Sequence, residues 1–175
     1  MATFTVDFEV WNSFDRYGKW NAHEHIDEPT HYLLDLLRRH QIKAIFYCVG
    51  WLADRRVDLI QKIVKDGHII GDHTYYHSMD PKVTLEGDRP FRAPRWHGEK
   101  RLYSGGFWFR AMPYNWVKKE VEKTGIFFIH PHDVLLEHPD CGVRTFDRRL
   151  GLKTSRDKLE RLCREVKWDD PGLVS

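Results

Sequence analysis

Residues 43–73 read "KAIFYCVGWLADRRVDLIQKIVKDGHIIGDH", two short apolar runs separated by a segment that can coil. The first run, 43–49, is nearly continuous in apolar residues, as a strand buried on both faces must be. Gly50 follows it and precedes a helix expected to run from about Leu52 to Lys65, which Asp66 and Gly67 stop. "HIIGDH", 68–73, supplies the next strand. Strand, helix, strand in this order is the repeating unit of α/β proteins.

Working outward, the same alternation continues. "TFTVDFEV", 3–10, is rich in strand formers and ends in carboxylates. "EPTHYLLDLLRRH", 28–40, has apolar residues at 33, 34, 36 and 37 and Pro29 where a first helical turn tolerates it, so it reads as a helix on a sheet. Beyond the central unit, "PFRAP" at 90–94 is expected to be a strand. "PYNWVKKEVEKTG" at 113–125 reads as a helix closed by glycine, and "IFFIHP" at 126–131 as a buried strand. Leu159, Leu162 and Val166 recur at helical spacing in 155–167, which predicts a last helix lying over the outside. The aromatic stretch "SGGFWFRAMPYNW", 104–116, reads as a loop leading into the 113–125 helix. A single domain over 1–175 is expected, with a helical extension from about 150.

Composition narrows the function classes. The chain is 41% hydrophobic, enough for a core without disulfide or metal staples. Its Lys and Arg (28) nearly balance Asp and Glu (26), and the signs are interspersed, so nucleic acid is not an expected partner. Cys48, Cys141 and Cys163 form no CxxC pair, which argues against a thiolate zinc site. No apolar stretch reaches membrane-spanning length and no charged leader opens the sequence, so no membrane partner and a cytoplasmic location are expected.

Polar residues gather where the strands end: Asp7 and Glu9 after the first, His73 and His77 after the third, Arg92 after the fourth and His130 after the last. In parallel α/β folds that edge carries active sites. Asp7 and Glu9, two apart in an extended chain, share a face, so one carboxylate can bind a cation while the other stays free. Two imidazoles and a carboxylate form a three-point ligand set that leaves room for water, the requirement of a hydrolytic zinc site.

These residues resemble the polysaccharide deacetylases of the NodB-homology fold, carbohydrate esterase family four. "TVDFEVW" is similar to the family's first motif, "GDHTYYH" to its histidine motif, "FRAPRW" to its arginine motif and "FFIHPHD" to its terminal histidine motif. "GGFWFRAMPYNWVKK" with "IFFIHPHDVLLEHP" is similar to a subgroup from bacterial exopolysaccharide loci, and the likeness covers most of 3–140. It implies an abbreviated, incomplete (β/α) barrel and removal of N-acetyl groups from an N-acetylated sugar or polysaccharide. The resemblance makes Asp7 the catalytic base, Arg92 the residue orienting it and His130 the general acid. Glu9, His73 and His77 become ligands of one divalent ion, expected to be zinc. Trp11, Trp96 and Trp108 are candidates for stacking on pyranose rings.

The chain departs from the family pattern in three places. The second carboxylate is displaced by one position, to Glu9. The connections from His77 to Phe91 and from Trp96 to Gly105 are short where the family inserts further elements. No counterpart is evident for the residue that tunes His130. The shortened barrel leads to an expectation of self-association through Phe107, Trp108, Phe109, Met112 and Trp116. Two other functions stay open: a non-catalytic carbohydrate-binding or regulatory remnant of the fold, and a hydrolase of a small cyclic amide.

Overall fold

The computed structural model describes residues 1–10, 25–75, 104–137 and 149–172 of the 175-residue chain. Within them lie the strands β1 (Thr3–Phe8), β2 (Ala44–Cys48), β3 (Ile69–Asp72) and β4 (Ile126–Ile129), in the sheet order β3-β2-β1-β4. Every pairing is parallel, which fits the serial strand–helix pattern. β1 lies between two neighbours, and Phe4, Val6 and Phe8 along it are fully buried. Thr5, also buried, satisfies its hydroxyl by donating to the Phe127 carbonyl at 3.1 Å.

The register decides where the polar residues go. Asp7 stands opposite Tyr47, Val6 opposite Ile129, and Cys48 opposite Asp72. The strands therefore finish at one edge, and the residues that follow each strand meet there.

Helices α1 (Asp27–Arg39), α2 (Gly50–Arg55), α3 (Val57–Lys65), α4 (Gly106–Ala111), α5 (Tyr114–Thr124) and α6 (Leu152–Glu165) pack around this sheet. α1 buries Leu33, Leu34, Leu36 and Leu37, as its periodicity predicts. Its first turn is acidic and its last basic, which suits the helix dipole. α5 ends at Gly125, whose φ of 70° places it in the left-handed region that closes helices.

Two expectations need correction. The helix expected over 52–65 is two helices meeting at Arg56, whose φ of −125° and ψ of 47° leave the helical region. The Arg56 guanidinium there binds both Asp27 and Asp58, tying the first turn of α1 to that of α3. The aromatic stretch at 104–112 contains α4 rather than a loop. The last helix lies over the outside as its spacing predicts: Leu159, Leu162 and Val166 are buried in the core that also holds Phe109, while Lys153, Asp157, Arg161 and Arg164 are exposed. Beyond α6, the Trp168 ring packs 5.1 Å from Phe4, and the main chain brackets Ala2 with Lys167 and Asp169. The strand expected at 90–94 lies outside the described residues. Among the described residues, no helix is long and apolar enough to cross a membrane.

Candidate active site

β1 runs into the site. Asp7 is its penultimate residue, and one step past the strand Glu9 N–H turns back to the Asp7 carbonyl at 2.9 Å. The chain thus turns at Phe8 instead of staying extended, and both carboxylates still come within 4 Å of His130 Nε2, Asp7 Oδ2 at 3.8 Å and Glu9 Oε1 at 3.6 Å.

β3 delivers His73 from the other side of β2. The His73 N–H continues the ladder to the Cys48 carbonyl at 3.1 Å. Thr74 then takes a φ of 61°, a conformation that Asp72 supports by accepting the Thr74 N–H at 2.7 Å. The carbonyls of Thr74 and Tyr75 accept the N–H groups of Gly50 and Trp51, so the start of α2 fixes the chain leaving β3. His73 Nε2 ends 3.7 Å from Glu9 Oε2. Burial works against a charge on His73, but the Glu9 and Asp7 carboxylates outweigh it and raise its pKa.

β4 delivers His130, whose Nε2 lies 3.6 Å from Glu9 Oε1 and 3.8 Å from Asp7 Oδ2. Its other nitrogen is anchored. The chain turns at once into a 3-10 turn, Pro131–Val134, and Asp133 Oδ2 accepts both the His130 N–H at 3.0 Å and Nδ1–H at 2.9 Å. Asp133 Oδ1 accepts Nε–H of Arg110 at 2.7 Å, and Arg110 Nη1 donates to the Leu150 carbonyl at 3.1 Å. Asp133 is completely buried and Arg110 is 3% exposed. Removing one partner of such a pair costs about 3–5 kcal/mol, because the other charge is left alone in the interior. Burial opposes charge on His130, yet its hydrogen bond to Asp133 and the charges of Asp133, Asp7 and Glu9 push its pKa up to about 9. Asp133 is held well below the usual carboxylate range: burial opposes its charge, and His132, His130 and Arg110 overcome that.

Close packing at two glycines makes room for this arm. A Cβ on Gly105 would stand 1.8 Å from the Phe128 carbonyl oxygen, and one on Gly106 3.3 Å from His130 Cε1. With a φ of 53°, Gly106 also needs a conformation other residues rarely adopt. His132 stacks on His130 with ring centroids 4.5 Å apart, and burial followed by repulsion from His130 lowers its pKa to about 3. It therefore lies as a neutral plane against a cationic one.

Two sets of donors here have metal-ligand chemistry. His130, His132 and Asp133 present atoms within 4.8 Å of one another, but Arg110 and the His130 donors already occupy the Asp133 oxygens. Glu9 and His73 fit a cation better. Two ligands of a tetrahedral zinc, each about 2.0–2.1 Å from it, stand roughly 3.3 Å apart. The 3.7 Å between Glu9 and His73 is close to that spacing.

The structure thus brings together Asp7, Glu9, His73 and His130. Arg92, His77, Trp11 and Trp96 lie outside the described residues. Trp108, on α4, is 40% exposed and meets Phe107 edge to face at 5.6 Å. Of the aromatic patch expected at 107–116, Phe109 is fully buried and Met112 and Trp116 pack against the core, which leaves Phe107 and Trp108 at the surface. Asp133 is the residue that sequence reasoning misses, since the motifs show no partner tuning His130. The spacing of His130 and Asp133 around Pro131 is that of a capping box, and it is the signal that could have found it.

Residues 7–90 match the family model "Polysaccharide deacetylase", and residues 74–172 match "Domain of unknown function (DUF3473)". Over 56 residues the chain is 39% identical to a peptidoglycan-N-acetylglucosamine deacetylase of Bacillus cereus, covering 32% of this chain and 20% of that protein. It is 33% identical over 73 residues to a peptidoglycan-N-acetylmuramic acid deacetylase of Bacillus subtilis, covering 42% of this chain and 25% of the relative. The chain therefore spans only a fifth to a quarter of these two relatives. A solved structure from Mycobacterium smegmatis, assigned to the polysaccharide deacetylases, superposes over 95% of this chain and 86% of its own, with a TM-score of 0.51 and 14% identity. That likeness is one of fold.

Proposed function

The chain belongs to the polysaccharide deacetylase family, and from that premise we propose that it is a metal-dependent hydrolase removing N-acetyl groups from an N-acetylated sugar or polysaccharide. The observation that carries the reading is the meeting of Asp7, Glu9, His73 and His130 at one sheet edge, with His130 anchored on a buried carboxylate.

Glu9 and His73, joined by His77, are the proposed holders of one divalent ion, and two imidazoles with a hard oxygen suit zinc. When bound, the ion polarises the acetyl carbonyl and acidifies water. Asp7 accepts the proton of the attacking water, with Arg92 as its proposed orienting partner. Water oxygen bonds to the amide carbon, the C–N bond breaks, and acetate leaves. The departing sugar nitrogen needs a proton. His130 supplies it from Nε2, since its Nδ1–H is committed to Asp133, and a pKa of about 9 keeps the imidazole charged at neutral pH. Trp108, with Trp11 and Trp96, is proposed to stack on the sugar ring.

The test is acetate release from a panel of N-acetylated glucosamine and muramic acid oligomers, with and without chelator. Release that chelator abolishes and added zinc restores is expected. Release untouched by chelator would remove the metal from the reading, and none from any substrate would remove the activity.

A further inference from the structure

The match to the deacetylase family ends at residue 90, whereas His130 and everything that holds it fall in the segment matched to a domain of unknown function. We propose that this segment supplies the acid arm of the site, and that within it Arg110 is the positioning residue that aims His130 through Asp133. The proposal rests on the deacetylase reading of His130 given above.

The geometry gives the reason. Asp133 Oδ2 takes both His130 donors, N–H and Nδ1–H, while Oδ1 takes Arg110 Nε–H. Pinned at both oxygens, the carboxylate cannot turn about its own axis. The imidazole is therefore held with Nε2 toward Asp7 and Glu9, at 3.8 and 3.6 Å. Arg110 is itself immobilised. Lys158 of α6 donates to the carbonyls of Phe109, Arg110 and Met112 at 2.9, 3.1 and 2.7 Å, capping the open end of α4. Gly151 lets α6 begin against α4, since a Cβ there would meet the Arg110 carbonyl oxygen at 2.1 Å. A buried ion pair is a poor source of stability compared with apolar side chains of equal volume. One hydrogen bond from the acid, it has a use as a clamp.

The experiment is a double-mutant cycle on the full chain with Arg110→Lys, His130→Ala and the two combined, fold being checked by circular dichroism. Lysine keeps the charge but lacks the fork that reaches Asp133 and the Leu150 carbonyl together. Arg110→Lys is expected to lower kcat by about 10-fold to 100-fold, the usual effect of losing a supporting partner, with KM unchanged. On the His130→Ala background it is expected to cost nothing further. Equal losses on both backgrounds would make Arg110 merely structural and overturn the proposal. In parallel, the His130 Nδ1–H resonance, assigned by its disappearance in His130→Ala, is expected to shift in metal-free Arg110→Lys; an unmoved resonance overturns the proposal. That arm needs no turnover, so it decides the role of Arg110 even if wild type releases no acetate and the deacetylase reading falls. If Arg110→Lys does not fold, Lys158→Met loosens α4 without stranding the Asp133 charge. The same cycle then applies: loss confined to the His130 background supports the clamp, and additive loss refutes it.

Discussion

Two histidines on opposite flanks of β1, His130 and His68, follow opposite physical rules. On the β4 flank, His130 is wired into a buried chain of Asp133, Arg110 and the Leu150 carbonyl, and its pKa is pushed up to about 9. On the β2–β3 flank, His68 is buried with Nδ1 accepting the Ala44 N–H at 3.2 Å, and burial followed by the Lys43 charge lowers its pKa to about 4. The His73 main chain is held by the Cys48 carbonyl, just past a strand whose Ile69 and Ile70 are exposed. A proton donor needs a fixed, charge-compensated environment. A cation ligand needs only to reach the ion, and can be fixed by its backbone. On the proposed reading, the site joins a wired acid arm to a more open ligand arm across a shared central strand.

The sharpest way to separate the arms is to remove one function from each. His73→Ala and Asp7→Asn are both expected to abolish turnover, but elemental analysis should find metal lost only in the first. Metal lost in both would make Asp7 a ligand and shift the base elsewhere. His130→Ala should retain metal and lower kcat by about 10²- to 10⁴-fold, the usual contribution of a general acid. Unchanged rates would take the β4 flank out of the chemistry.

Metal-free protein tests the opposed histidines directly. His130, with a raised pKa, contributes stability that is complete below pH 6.5 and is lost as pH rises toward about 9. His68, with a lowered pKa, contributes stability complete above pH 6.5 and lost as pH falls toward about 4. Each tenfold change in proton affinity on folding is worth about 1.4 kcal/mol, and 1 kcal/mol moves Tm by roughly 2–4 °C for a chain of this size. In melts of chelator-treated protein, His130→Gln should flatten the alkaline limb and His68→Gln the acid limb. Either variant flattening the other limb would break the contrast.

The smallest expected effect concerns the exposed pair at the tip of the acid arm. If Phe107 and Trp108 seat a second copy of the chain, Trp108→Glu should halve the mass seen by light scattering, because a charge is costly in a desolvated contact. A monomer in both samples would leave Trp108 to the sugar.

Most of the sheet and the helix order was legible because the signals are local. Apolar runs mark β1, β2 and β4, and helical spacing with Pro29 and Gly125 marks α1 and α5. The break at Arg56 was not legible, since the ion pair that accompanies it reaches Asp27, 29 positions away. Nor was α4, whose path depends on two glycines packing against Phe128 and His130.

For the site, the sequence by itself determined which side chains arrive at the strand ends. Asp7, Glu9, His73 and His130 follow from strand length and from the single edge that parallel strands share. Tertiary structure alone decided how they are poised. Asp133 and Arg110 are 23 residues apart, and Lys158 is 46–49 residues from the carbonyls it caps. Such contacts leave no periodicity to read, because a hydrogen bond constrains a distance of about 3 Å in space and nothing about separation along the chain. Only when β4 and α6 close on α4 does a buried carboxylate find both its partners, and that closure fixes how the histidine just past β4 is aimed.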